Sequence, residues 1–417
     1  MFVSLYTICL WMIVVYGKWK VWKWLDLLLT EVDIDHVLMD DEDRDDQILD
    51  DAKYIIMSPW ISPKHDVYKQ YVKKILSEMS YLGRLLKKLS LPKITFIGIT
   101  WTNGKSTTAW IMYQALQRIV PDDNVWIAGN FDIPLSETLV SIMQSKSHKE
   151  HFCVVECSSF MLYNLDTFMF DYSIFLNIAR DHLDWHDNMT DYFAAKSRIC
   201  AQTHKSFVSH TINLLLPSAL EKKATIIPHH IDISYTKFVG KHNMQNIAAV
   251  AKCLEVLTKD KDILFDPTKI FDKLKPLPHR LELIREINGV MIIDDGISSS
   301  AQSLLAALHA MEKSCIAIVG WHDKGDDYSV LSVAIRQKVS CLVCIGELQN
   351  TFVSIAKDVW IPYIRSDTLE HAVQTAVDYA HRLSVSTVLF SPGAASFDMF
   401  SNVYDRVQKF NIIVSQL

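Results

Sequence analysis

The stretch KITFIGITWTNGKSTTAWIMYQALQRI, Lys93 to Ile119, restricts the possible folds more than any other part of this chain. It opens on an apolar run rich in β-branched residues, breaks at Asn103-Gly104, and continues with helix formers. A run that is apolar on both faces reads as a strand covered on both sides, as in parallel sheets. The alternation recurs. FCVVECSS, YSIFLNIA, VMIIDD, SCIAIVG, SCLVCIG and STVLFSPG read as strands, while NMQNIAAVAKCLEVL and TLEHAVQTAVDYAHRL read as helices. Strands alternating with helices imply an α/β protein with mainly parallel sheets. Breaks at KKLSLPK (Lys87 to Lys93) and KPLPHR (Lys275 to Arg280) divide the chain into residues 1–92, 93–277 and 278–417.

Hydrophobic residues make up 49% of the chain, enough for sizeable cores, and the net charge of -6 opposes a general nucleic-acid binder. The acidic run from Asp33 to Asp51 reads first as a solvated face. Cys341 and Cys344 have CxxC spacing, but they sit in an apolar strand with no second pair, so buried thiols are expected. The opening MFVSLYTICLWMIVVYGKWK is too short in its apolar run for a membrane span. It lacks the basic start of a signal peptide, so a buried first strand and a cytoplasmic location are expected.

Within the opening stretch, strand, glycine-bearing loop and helix follow in the order a phosphate loop requires. Backbone amides at the helix N-terminus would hold phosphates, Lys105 would neutralise their charge, and Ser106 would ligate Mg²⁺. The GxxxxGK[ST] spacing is not met, because Ile99 stands at its first glycine. Glu156 ends the strand of VVECSSF, and Asp181, His182 and Asp184 follow the strand of LNIARDHLDWH. Ligands collect at the carboxyl ends of strands in open parallel sheets, so these groups are candidate Mg²⁺ ligands. A helix-capping acid and a packed turn histidine are the structural alternatives.

TNGKST, ECSSF, LNIARDHLDWH, AAKSRI, GKHNMQN, LPHRLE, DKGDDY and SPGAASFDMF occur in one order along one chain. Together they resemble the Mur ligase family, and within it the D-glutamate-adding branch. The resemblance implies a Rossmann-like N-terminal domain binding a UDP group and a central P-loop-type ATPase domain with a mainly parallel sheet. A Rossmann-like C-terminal domain would receive the incoming amino acid. It further implies ATP-dependent joining of D-glutamate to UDP-N-acetylmuramoyl-L-alanine through an acyl phosphate, by a monomer acting on neither nucleic acid nor membrane. By matching position, Trp101, Thr102, Asn103, Gly104, Lys105, Ser106 and Thr107 form the ATP loop. Ser106, Glu156, His182 and a carbamylated Lys196 would hold Mg²⁺. Asn243, Asn246, His279, Arg280 and Asp295 would surround the nucleotide. Asp40, Ser58 and Asn130 would meet the sugar nucleotide, and Lys324 and Ser396 the D-glutamate. A sister amide ligase for another amino acid, or a silent nucleotide-binding relic, are the competing readings.

The chain departs from that pattern mostly in one direction. Trp60, Trp101, Asp132, Trp321 and Val407 stand where the family has glycine, Ile297 where it has lysine, and Val403 where it has an aromatic residue. Only 12 of 417 residues are glycine, about 3% against roughly 7% in average usage. Glycine serves where φ is positive or a ligand approaches the backbone, so strain, obstruction and weakened catalysis are expected at these sites.

Overall fold

In the computed structural model, three sheets follow one another along the chain. The structure describes residues 12–17, 20–120, 124–131, 133–145, 147–183, 185–228, 241–323 and 325–417. Cys9, Asp132, Asp184 and Lys324 therefore lie outside the described residues.

The first sheet has four parallel strands in the order β2-β1-β3-β4: β1 Ile13–Tyr16, β2 His36–Met39, β3 Tyr54–Met57 and β4 Ile75–Ser77. The expected strand near the N-terminus is present as β1, whose four residues are all buried, as a strand covered on both faces requires. The acidic run supplies β2 and a short helix, Asp46–Asp51. Asp45 caps that helix by accepting from the Gln47 amide, so part of the run does structural work. Asp41 is also engaged: the Tyr16 hydroxyl donates to it at 2.5 Å, and this bond holds its carboxyl below the usual range.

The second sheet is parallel throughout, in the order β10-β9-β8-β5-β7-β6. Its strands are β5 Ile94–Thr100, β6 Val125–Gly129, β7 His151–Glu156, β8 Phe170–Phe175, β9 Thr203–Val208 and β10 Thr225–Ile226. From β5 the chain builds outward to β6 and β7 on one side, then crosses to β8, β9 and β10 on the other. Strand order reverses at β5, and such a switch point opens a crevice at the carboxyl ends of the strands. The loop after β5 lies there, followed by the helix Lys105–Ile119.

The third sheet is mixed, in the order β11-β12-β16-β13-β14-β15. Its strands are β11 Glu282–Ile287, β12 Val290–Asp294, β13 Cys315–Gly320, β14 Val339–Ile345, β15 Tyr363–Ser366 and β16 Thr387–Phe390. β11 pairs antiparallel with β12 as a hairpin at the sheet's edge, and the other pairings are parallel. Cys341 and Cys344 are buried, unbridged thiols on β14, and burial pushes them up to about 11 and about 12. Redox or zinc chemistry has no foothold there. The chain parts into two compact units, one holding the first two sheets, the other the third sheet together with the start of the helix Lys241–Asp260.

Candidate active site

The carboxyl ends of β7, β5 and β8 adjoin, and the loops beyond them are tied together. Thr100 Oγ1 donates to the Cys157 carbonyl at 2.7 Å, and the Cys157 amide to Ile99 at 2.8 Å. Across the other seam Asn177 clamps the loop after β5. It donates to the Asn103 carbonyl at 3.1 Å and accepts from the Asn103 amide at 3.2 Å. Thr102 Oγ1 accepts from the Ala179 amide at 3.0 Å. Asn177 belongs to the LNIARDH motif, yet sequence reasoning gave it no role; its backbone-matching carboxamide, two residues past a strand end, was the available signal.

Gly104 begins the helix Lys105–Ile119 at φ 106, a conformation glycine adopts without penalty. No side chain caps that helix. The first-turn amides of a helix have no intrahelical acceptor, so this end is suited to an anion. Lys105 Nζ reaches back to the carbonyls of Trp101 and Thr102, both at 3.0 Å. Lys196 Nζ meets the same Trp101 carbonyl at 2.8 Å and Thr100 Oγ1 at 3.3 Å. Lys196 is 1% exposed, lying 5.0 Å over the Tyr192 ring. Burial, then the neighbouring Lys105 charge, pull its ammonium well below the ordinary lysine range, with Asp181, Cys157 and Glu156 acting in opposition. Its amine is thereby biased toward the neutral, nucleophilic form.

Glu156 is 1% exposed at the end of β7. Its Oε1 accepts from Asn130 Nδ2 at 2.9 Å, whereas Oε2 is buried with no hydrogen-bond partner. Ser158, not Glu156, caps the helix Ser159–Leu162 that follows, so capping does not account for the Glu156 carboxylate. His182 adopts φ 53 after β8, with Nε2 3.4 Å from Asp181 and its ring 4.8 Å from Phe160. The neighbouring His186 is fully buried, bonded to Asp191 at 3.0 Å and Ser159 at 2.9 Å, and acts as a packed strut.

Asn243 and Asn246 are buried on one face of the helix Lys241–Asp260. A Cβ built on Gly104 would stand 3.1 Å from Trp101 Nε1 and 3.3 Å from Asn246 Nδ2, so indole and carboxamide both lie against the loop. In the first sheet, Ser58 packs beside the Gly17 turn, and the Asp40 carboxylate accepts from the Glu42 amide at 3.0 Å.

In the second unit, His279 takes φ 62 and its Nδ1 lies 2.8 Å from Asp294 Oδ2, which raises the imidazole above its ordinary value. Arg280 beside it is exposed. Asp295 accepts from Ser391 Oγ at 2.7 Å, and burial pushes its carboxyl up to about 7. Ser396 is buried. Arg406 went unnoticed in the sequence although it neighbours Val407. It is fully buried and donates to the carbonyls of Ala394, Ala395, Gly296 and Ser298 at 3.0–3.3 Å. Burial pulls its guanidinium down to about 10.

The replaced glycines behave differently from the expectation of general backbone strain. Among the described positions, Trp321 alone has positive φ, at 89; Trp60, Trp101 and Val407 do not. Val407 is buried in the helix Val403–Gln416, where any L-residue fits. Trp321 accepts the strain inside a dense setting. Its amide donates to Ile345 at 2.9 Å, Phe390 packs edge-on at 5.7 Å, and Arg406 lies 5.1 Å over its ring. Trp101 is 0% exposed, so its indole is interior packing rather than a side chain standing in open solvent.

A family model described as the Mur ligase middle domain matches residues 99–224. The chain is 32% identical over 389 residues to the UDP-N-acetylmuramoylalanine–D-glutamate ligase of Aquifex aeolicus (strain VF5), spanning 88% of this chain and 89% of that protein. MurF ligase from Thermotoga maritima, solved with ADP, shares the fold at TM-score 0.55 and 18% identity, over 89% of this chain and 91% of that one. UDP-N-acetylmuramate-alanine ligase MurC from the same organism does so at TM-score 0.55 and 14% identity, over 97% and 99%. Uncapped helix, paired lysines and spare carboxylate oxygen thus sit on a scaffold common to amide-forming ligases, and at this identity over this length the chain belongs to the UDP-N-acetylmuramoylalanine–D-glutamate ligase family.

Proposed function

We propose that this chain joins D-glutamate to the alanyl carboxylate of UDP-N-acetylmuramoyl-L-alanine, driven by ATP, in the synthesis of a peptidoglycan precursor. The observation that carries the reading is the convergence beyond β5 and β7 of an uncapped helix start, Lys105, Lys196 and the partnerless Oε2 of Glu156.

A carboxylate oxygen attacks the γ-phosphorus of ATP, the bond to the β,γ-bridging oxygen breaks, and ADP leaves. The D-glutamate amine then attacks the acyl carbon, loses a proton, and the C–O bond to phosphate breaks. Phosphoryl transfer of this kind depends on positioning and charge neutralisation. The loop amides from Thr102 to Thr107 cradle the phosphates, and Lys105 leaves its loop carbonyls to pair with them. Asn243, Asn246, His279, Arg280 and Asp295 surround the nucleotide. Asp40, Ser58 and Asn130 meet the sugar nucleotide, and Lys324 and Ser396 the amino acid.

Ser106 and Glu156 offer oxygen ligands of the kind Mg²⁺ takes, and His182 would add an imidazole nitrogen, a less usual ligand for so hard a cation; bound there Mg²⁺ would neutralise phosphate charge. Lys196, buried with its amine biased to neutrality, suits addition to CO₂. The nitrogen bonds to carbon as one C=O π bond opens, one N–H proton is released, and the anionic carbamate would offer a further oxygen ligand to the cation. Residues 1–92, 93–277 and 278–417 act as the UDP-binding, ATP-binding and amino-acid-binding domains. We place the reaction in the cytoplasm; among the described residues no helix is long and apolar enough to cross a membrane.

ADP release that requires both UDP-N-acetylmuramoyl-L-alanine and D-glutamate is the expected result. Release that ignores either one, or that prefers another amino acid, overturns the reading. Labelled ¹³CO₂ should give one carbamate resonance that Lys196→Arg removes, a readout independent of turnover.

A further inference from the structure

Trp60 follows β3, two residues after Ser58. A Cβ built on Gly17 would lie 2.9 Å from Ser58 Cβ and 2.7 Å from Ile61 Cδ1, so the Pro59–Trp60 turn abuts the carboxyl end of β1. On its other side the Trp60 indole rests on Phe160 with ring centroids 5.6 Å apart, and Phe160 lies 4.8 Å from the His182 ring. Phe160 is itself fixed between Trp185 at 4.7 Å and His186 at 5.9 Å. A continuous line therefore runs from the Gly17 turn through Ser58, Trp60 and Phe160 to His182. Trp60 is nonetheless 56% exposed, an indole backed by an aromatic ring and still open to solvent. A single exposed ring is ordinary on a protein surface; what sets Trp60 apart is its place, next to Ser58 and resting on the Phe160 that borders His182.

We propose that Trp60 is the platform on which the hexose ring of the sugar-nucleotide substrate stacks, a specificity-determining residue for the ligation. The inference rests on the substrate reading given under Proposed function. With the sugar nucleotide meeting Ser58 on one side of Trp60 and its reacting carboxylate at Glu156 and His182 on the other, the hexose occupies the interval that Trp60 borders. A neutral indole face supplies no donors to a diphosphate. It does cover the C–H face of a pyranose, removing apolar area of both from water, with the ring's negative face against polarised C–H groups. Backing by Phe160 keeps the indole in place before the sugar arrives, which lowers the ordering cost of binding.

The test titrates the full-length protein and its Trp60→Leu and Trp60→Phe variants with UDP and, separately, with UDP-N-acetylmuramoyl-L-alanine, by calorimetry and indole fluorescence. Trp60→Leu is expected to weaken the sugar nucleotide about tenfold while UDP stays within about twofold. Trp60→Phe should recover most of the loss, and KM for ATP and D-glutamate should not move. Because Trp60 is exposed, unchanged melting of the Leu variant verifies that it folds. Sugar-nucleotide affinity equal to wild type in Trp60→Leu overturns the platform and leaves the substrate reading standing. Equal losses of UDP and sugar nucleotide also overturn it, by moving the effect to the nucleotide. A folded wild type that binds no sugar nucleotide overturns both.

Discussion

Trp101→Gly restores the residue that the family pattern calls for, and two lines of reasoning give it opposite outcomes. If the indole obstructs the phosphate loop, the variant binds nucleotide better. The structure supports the other outcome. Trp101 is completely buried, has no positive φ to relieve, and lies with Asn246 against the loop at Gly104. Its carbonyl is the shared acceptor of Lys105 and Lys196, so movement of residue 101 displaces both lysines. Deleting a buried tryptophan costs about 3–5 kcal/mol, and glycine adds up to about 1 kcal/mol of backbone freedom. Against this, the indole Nε1 is buried without a partner, and its removal returns about 1–3 kcal/mol. The net expectation is a loss of roughly 2–4 kcal/mol, a fall of about 5–15 °C in the melting transition that reports on this region.

Scanning calorimetry, hydrogen exchange across 94–119 and Mg-ATP titration together measure this. Trp101→Gly should melt earlier, exchange faster around the loop, and bind nucleotide more weakly because the loop is no longer held. Trp101→Phe, which keeps most of the apolar volume and drops the orphan N–H, should stay close to wild type in melting. A glycine variant that melts like wild type and binds Mg-ATP more tightly refutes the packing account and makes the indole an obstruction.

Further outcomes follow from the buried polar groups. Glu156→Gln keeps the Asn130 contact through its carboxamide and removes a buried charge whose Oε2 has no partner; turnover should fall at least about a hundredfold while melting is unchanged or raised. Asp295 holds a proton when folded that the unfolded chain releases between about pH 4 and 7, so its contribution to stability declines as pH rises through that window, by at most roughly 4 kcal/mol. Asp295→Asn should flatten that part of a denaturant-midpoint profile. His279, raised by Asp294, acts in the same direction: its stabilisation is full below the unfolded value and is lost as pH climbs through the folded one. Asp294→Asn should remove this remaining slope. Arg406→Met takes a donor from four buried carbonyls, of which Ala395 keeps the His322 amide, and should cost on the order of 3–5 kcal/mol in a chemical-denaturation series.

The strands β5, β7, β8, β12, β13, β14 and β16 were legible because strands covered on both faces are largely apolar, whereas polar strands such as β9, THKSFV, and β11, ELIREI, were not. The position of Glu156 was legible for the same reason, as an acid closing such a run, and β7 delivers it to the switch point. Side-chain surroundings were less legible. Sequence gives the volume of a tryptophan but not whether space exists for it. Trp101 and Trp321 look alike as replacements for glycine, yet the first packs without backbone strain and the second is held at φ 89. The difference lies in contacts distant along the chain. Gly346 allows the backbone to approach Trp321, where a Cβ would stand 2.7 Å from its Cα. Arg406 supplies a cation over the ring from a helix 85 positions later in sequence. That cation has no acidic hydrogen-bond partner among the described residues, and no local pattern announces it, because its acceptors are backbone carbonyls, which every residue has. Trp321→Gly therefore separates the two costs: relief of about 1–3 kcal/mol of strain is outweighed by an emptied ring site of about 3–5 kcal/mol. The double variant with Arg406→Met should then cost less than the sum of the singles, since each removes the other's partner. Strict additivity would mean that indole and guanidinium are neighbours without being coupled.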